Sequence, residues 1–271
     1  MTITGAEKWN SSSNIAFIIV GILGIVERKR RWNLDLDQET GKTTRGLLSK
    51  SFHQYITSPT LSFLLLDVLI ILIGIGSYLF HSTRLYIWQL SDELPMSLLL
   101  AGYAYVQRGI YVRDKEDDTW DARERKRFLS NLISYLYILL LVISWYGYLV
   151  LQNHSLFVSF FSSQVGFTIG IYVIGGPFHV GCVTPEIGSE WYSEIASISC
   201  MIVGKLLWEY ERSLHSLNTC PTDGKEVEYY LHAWWHAFSA AGHYYWCRGI
   251  EGEWRRVEME DEGNRGRRKT V

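Results

Sequence analysis

The chain has 271 residues, 48% of them hydrophobic and 14% aromatic, with a formal net charge of −2. With no strongly basic domain, it lacks the electrostatic footprint of a nucleic-acid binder. The four cysteines, Cys182, Cys200, Cys220 and Cys247, are scattered without a CxxC pair, so no cysteine-type zinc site is indicated.

Mean hydropathy is only +0.01, but the average conceals the pattern, because the charges are confined to loops and a tail. Leu132–Leu151 and Leu156–Ile174 contain no charged residue over 20 and 19 positions. A helix needs about 20 apolar residues to cross the hydrocarbon core. In lipid the backbone must satisfy its own hydrogen bonds, so each such run is expected to be helical.

In chain order, seven spans are expected: Asn10–Val26, Leu61–Phe80, Leu90–Val106, Leu132–Leu151, Leu156–Ile174, Trp191–Trp208 and Tyr229–Trp246. The first has a polar beginning. The apolar stretch Ile15–Val26 follows polar residues and reads as part of this span, not as a cleavable signal peptide. Aromatic residues such as Trp145, Tyr148, Trp191, Tyr229 and Tyr230 cluster near the ends of the runs, as interfacial aromatics do. The expected fold is therefore all-α, an integral membrane bundle of seven helices over residues 1–247. It carries a mixed-charge cytosolic insertion at 27–60 and a charged cytosolic tail at 248–271.

Lysine and arginine set the expected orientation. Seven fall in the loop after span one, seven in the loop after span three and seven in the tail, against Lys8, Arg84, Arg212 and Lys225 on the other side. The positive-inside asymmetry places the C-terminus in the cytosol and the N-terminus in the lumen or outside the cell. Asn153-His154-Ser155 is a glycosylation sequon in a turn too short for ready use. Arg268-Lys269 near the end reads equally as an endoplasmic-reticulum retrieval signal or an ordinary basic flank.

Three segments carry polar residues that membrane helices rarely hold. Span two ends Gly74-Ile75-Gly76-Ser77-Tyr78-Leu79-Phe80-His81. Span three begins Gln89-Leu90-Ser91-Asp92-Glu93-Leu94-Pro95-Met96. Span seven contains His232-Ala233-Trp234-Trp235-His236. His232 and His236, four apart, share a helix face. A lone HxxxH is a weak signal, since helical histidines are also common in cores and at interfaces. With His81, however, the pair makes a three-imidazole set that leaves a fourth position open on a catalytic zinc. The expected topology puts His81, Asp92, His232 and His236 on the same side of the membrane, and intramembrane ionisable groups are costly enough to be functional by default. Asp92 is open to two readings, a base or a helix cap. Glu93 reads as an acidic helix start with Pro95 in the first turn. His215 is expected in a loop, and His243, seven residues past His236, outside the ligand set. Asp67, Glu194 and Lys205 pair with one another or line the cavity.

GxGSxxFH, QLxDELPM and HAxWH in this order resemble the alkaline ceramidases, members of a seven-span superfamily that includes the adiponectin-type receptors. The resemblance runs from about Glu7 to Cys247, and Glu7-x-Trp9-Asn10-x-x-Ser13-Asn14 resembles the family's entry into the first span. It implies zinc on His81, His232 and His236, with Ser77 and Asp92 completing the site. It implies hydrolysis of ceramide to sphingosine and a fatty acid in the endoplasmic reticulum or Golgi membrane. In that chemistry zinc activates water and polarises the amide, Asp92 moves the proton and Ser77 supports the oxyanion. The family also carries an acidic, Asn-containing calcium segment before the first span; of that pattern only Glu7 is present here, which leaves a Ca2+ site incomplete. A receptor with structural zinc, a hydrolase of another lipid amide and an inactive relative are the competing expectations. The segment DELPM favours the ceramidase branch.

Overall fold

The computed structural model describes residues 5–40, 59–113, 120–152, 154–175, 189–216 and 230–268. Among the described residues there is no strand. The helices are α1 (Gly5–Ser13), α2 (Ile15–Thr40), α3 (Pro59–Thr83), α4 (Tyr86–Arg113), α5 (Trp120–Leu151), α6 (His154–Gly175), α7 (Ser189–Ser216) and α8 (Leu231–Arg268). α1 and α2 adjoin at Asn14, whose carbonyl accepts from the Phe17 amide at 3.1 Å.

Three stretches are long and apolar enough to cross a bilayer by length and composition: Lys8–Arg31, Leu61–Thr83 and Ser134–Leu151. The apolar face of α5 is left open, with Leu136, Leu139, Ile143 and Val150 each more than half exposed. Water would not tolerate such a surface, whereas lipid tails would cover it. The remaining expected spans also fall on helices, within α4, α6, α7 and α8; Tyr229, the first residue of the last one, lies outside the described residues.

Several boundaries run past the apolar runs. α2 continues to Thr40, into the segment expected as an insertion, of which residues 41–58 lie outside the described residues. α7 reaches Ser216, so His215 sits in a last helical turn and not in a loop. α4 starts at Tyr86, so Asp92 and Glu93 lie two turns inside it and cannot act as its first turn, and Pro95 is internal.

Two compact units form, Met1–Met96 with Glu194–Cys247, and Ser97–Ser193 with Arg248–Val271. In the first, Phe17, Phe63, Leu66, Ile70, Ile73, Trp235 and Trp246 are buried. Arg28 of α2 grips Asp67 of α3 inside it, Nε to Oδ2 at 2.6 Å and Nη2 to Oδ1 at 2.7 Å. Asp67 thus pairs with Arg28 and not with Glu194 or Lys205; Lys205 pairs with Glu209 one turn on. The α3–α4 connection is two residues long and turns at Arg84, which adopts a left-handed φ of 54°. Its amide reaches the Phe80 carbonyl at 2.6 Å, an αL helix stop made without glycine. α4 is thereby folded back beside α3.

The second unit is held by aromatic packing. Tyr148, Phe157 and Phe161 are buried, with ring centroids 5.3 and 5.7 Å apart along the series. Gln164 donates to the Tyr137 hydroxyl at 2.9 Å, joining α6 to α5.

Removing one partner of a buried ion pair leaves an uncompensated charge, at a cost of about 3–5 kcal/mol. Arg28→Ala should therefore lower the unfolding temperature in detergent well below that of the double variant Arg28→Ala/Asp67→Ala. Equal losses in the two variants would show that the pair is not what holds α2 to α3.

Candidate metal centre and active site

The first unit brings His81 of α3 together with His232 and His236 of α8. Ring centroids are 4.9 Å apart for His81 and His232, 5.5 Å for His81 and His236, and 4.6 Å for His232 and His236. One nitrogen from each ring lies within 4.8 Å of the other two. Three neutral imidazoles at this separation suit one borderline metal ion such as zinc.

The outer nitrogens of α8's pair are occupied. His232 Nδ1 lies 3.1 Å from Glu211 Oε2 on α7; a carboxylate only accepts, so Nδ1 carries the proton. His236 Nδ1 lies 2.8 Å from Ser13 Oγ on α1. Ser13 spends its single proton on the Asn10 carbonyl at 2.9 Å, so toward His236 its oxygen must accept. Both rings are thus Nδ1–H tautomers with the Nε2 lone pair left for a ligand. Carboxylate and hydroxyl partners of this kind orient metal-binding histidines and raise their basicity. Sequence reading gave Ser13 and Glu211 no role toward the histidines because each is far in the chain from the ring it supports.

Ser77 and Asp92 meet through a backbone contact between their neighbours. A Cβ on Gly76 would collide with the Ser91 carbonyl oxygen and come within 2.8 Å of the Asp92 nitrogen. The α3 and α4 backbones therefore touch, which only glycine allows here. Pro95 contributes from the other side: it has no N–H for the Ser91 carbonyl, and a proline ring crowds the carbonyl four residues before it, which leaves that oxygen to be met from outside the helix. The Ser77 hydroxyl then faces the Asp92 carboxylate, and Asp92 lies within electrostatic reach of His232. Gly74 does the equivalent on the opposite flank, where a Cβ would lie 3.0 Å from the Asn14 carbonyl oxygen. Glu93 is buried and accepts from Gln89 Nε2 at 3.1 Å. Glu7 is in the first turn of α1, but its side chain lies outside the described residues. His243 is not part of the three-histidine set; it contacts Asp67 at 3.3 Å.

Helices throughout the described residues, some of membrane-spanning length, and a cluster of three imidazoles, His236 buried and the other two half-buried, define a class of membrane protein with a metal-competent polar centre. Comparison with known proteins narrows the class. A family profile described as Ceramidase matches residues 1–267, and the chain belongs to that family. It is 26% identical over 248 residues to an alkaline ceramidase candidate of Dictyostelium discoideum, covering 90% of this chain and 79% of the relative. It is 24% identical to alkaline ceramidase 3 of Mus musculus, covering 90% and 76%. A second Dictyostelium discoideum candidate is 29% identical over 178 residues, 64% of this chain and 58% of its own.

Loss of an outer partner of a ligating histidine typically weakens metal binding by about 10–100-fold. Glu211→Ala should show such a loss in competition with a chromophoric chelator, and Glu211→Gln, which can still accept a hydrogen bond, a smaller one. An unchanged affinity in Glu211→Ala would mean that Glu211 does not orient His232.

Proposed function

We propose that this chain hydrolyses the amide bond of ceramide to sphingosine and a free fatty acid, with zinc held by His81, His232 and His236. The observation that carries this reading is the convergence of three imidazoles beside a serine–carboxylate pair in a chain of the ceramidase family. Bound there, zinc supplies Lewis acidity toward the amide oxygen and a more acidic water.

The remaining work falls to side chains. Asp92 accepts the proton that water loses as it attacks, then returns it to the amide nitrogen, so that sphingosine leaves as a neutral amine. Ser77 donates a hydrogen bond to the carbonyl oxygen as negative charge develops there. One such donor is worth about 10²–10³ in turnover. Ser77 Oγ is buried without a hydrogen-bond partner, so its proton is free for that role.

The same reading takes the chain as a seven-span protein of the endoplasmic reticulum or Golgi membrane, its N-terminus lumenal and its C-terminus cytosolic. The lysine and arginine asymmetry supports the orientation. The close antiparallel return of α4 on α3 across a two-residue turn supports consecutive spans.

Membranes expressing the chain should release fatty acid from labelled ceramide, and His232→Ala or a chelator should abolish the release. Release should also fall as pH is lowered, since imidazoles ligate only when neutral. Asp92→Asn should lose about 10²–10⁴-fold, and full activity in that variant would remove Asp92 as the proton carrier. A zinc-loaded wild-type protein with no turnover would overturn the hydrolase reading in favour of a receptor-like role.

A further inference from the structure

A second group of ligand-type atoms lies in the first unit and is left unused by the chemistry above. Asp67 of α3 and His243 and Cys247 of α8 are all buried, and one ligand atom of each lies within 4.8 Å of the others. His243 Nε2 is 3.3 Å from Asp67 Oδ1 and 3.7 Å from Cys247 Sγ.

Both neighbours crowd the same ring nitrogen. A nucleophilic Cys-His-Asp relay requires the thiol on one nitrogen and the carboxylate on the other, so this is not one. As a hydrogen-bonded cluster it is also poorly matched. Nε2 carries at most one proton: if it donates to Asp67, it cannot accept from the Cys247 thiol. If it accepts from the thiol, two lone pairs confront each other across 3.3 Å.

A cation at the centre satisfies all three atoms at once. Tetrahedral zinc with Zn–N and Zn–O near 2.05 Å and Zn–S near 2.3 Å has ligand-to-ligand edges of about 3.4 Å for N to O and about 3.6 Å for N to S. The two observed edges are 3.3 and 3.7 Å. Arg28 does not block such a site. It approaches Asp67 through Oδ2 and through one lone pair of Oδ1, and ligating carboxylates are commonly hydrogen-bonded from outside. Gly24 makes room for the carboxylate, since a Cβ there would overlap it. The thiolate, imidazole and carboxylate donors select zinc over calcium or magnesium.

We propose that Asp67, His243 and Cys247 form a second zinc site that ties α3 to α8, its fourth position left to water, distinct from the three-histidine centre. Binding takes the proton from the Cys247 thiol and releases it to solvent.

Cobalt separates the two sites, because only this one contains sulfur. The full-length protein, purified in detergent, stripped of metal and titrated with Co2+, should show a near-ultraviolet thiolate-to-cobalt charge-transfer band. The band should disappear in Cys247→Ser. It should persist in His81→Ala/His236→Ala, which removes the other centre and so keeps this test independent of the catalytic reading. Zinc content should fall from two per chain to one in each of these variants, each checked for native elution and helicity. His243→Ala, which keeps the thiol, should require far more Co2+ for the same band. A wild-type protein with no charge-transfer band, or a band retained in Cys247→Ser, would overturn the proposal and leave the cluster as a hydrogen-bonded extension of the Arg28–Asp67 pair.

Discussion

The absence of a side chain at Gly76 fixes how closely α3 and α4 approach, and the polar centre depends on that distance. With the Ser91 carbonyl seated on Gly76, the residues immediately following, Ser77 and Asp92, are brought face to face. His81 is then one turn beyond Ser77 on α3, within reach of the pair on α8. Gly76 and Pro95 belong to different motifs of the chain, yet they act on one carbonyl. Pro95 frees it from the helix, and Gly76 gives it somewhere to go.

A second constraint concerns the rings themselves. An imidazole in an apolar bundle can point either nitrogen inward, and an unsatisfied outward nitrogen costs free energy. Ser13 and Glu211 remove that ambiguity for His236 and His232. α1 and α7 are therefore part of the centre, although they offer no ligand. The polar beginning of the first span, which weakens it as a transmembrane signal, is where Asn10 and Ser13 supply this support.

The sequence showed His81, His232 and His236 because four-residue spacing and the sidedness of the spans are both local, countable properties. It showed the helical class for the same reason. The pairings between distant helices were not legible. Arg28 counts as one more cytosolic cation until α3 delivers Asp67 to it, and burial then makes it a structural residue. Asp92 and Glu93 look like a helix start because acidic residues before a proline usually are one. Three residues of helix ahead of Gln89 change their meaning, and nothing in the Tyr86–Trp88 composition announces that extension. His215 was displaced from loop to helix by the same tendency of helices here to outrun their apolar cores.

His243 was set aside because it lies seven residues past His236, but seven residues are two turns, and the face drifts by only about 20° over that interval. α8 thus presents His232, His236, His243 and Cys247 along one stripe. α3 answers with Asp67 and His81, so that the two antiparallel helices meet through side chains at two levels. His81 meets His232 and His236 at one of them, and Asp67 meets His243 and Cys247 at the other. Fourteen residues of helix separate the two groups by about 21 Å along α3. Two helices whose ionisable groups must meet at two levels are costly to assemble in the wrong register. Sliding α8 by one turn would leave a charge of Asp67 or an imidazole without its counterpart, and in a low-dielectric interior that penalty falls on both levels at once. The seven-residue repeat that made His243 look like an outsider is therefore what sets the register on which the three-histidine centre relies.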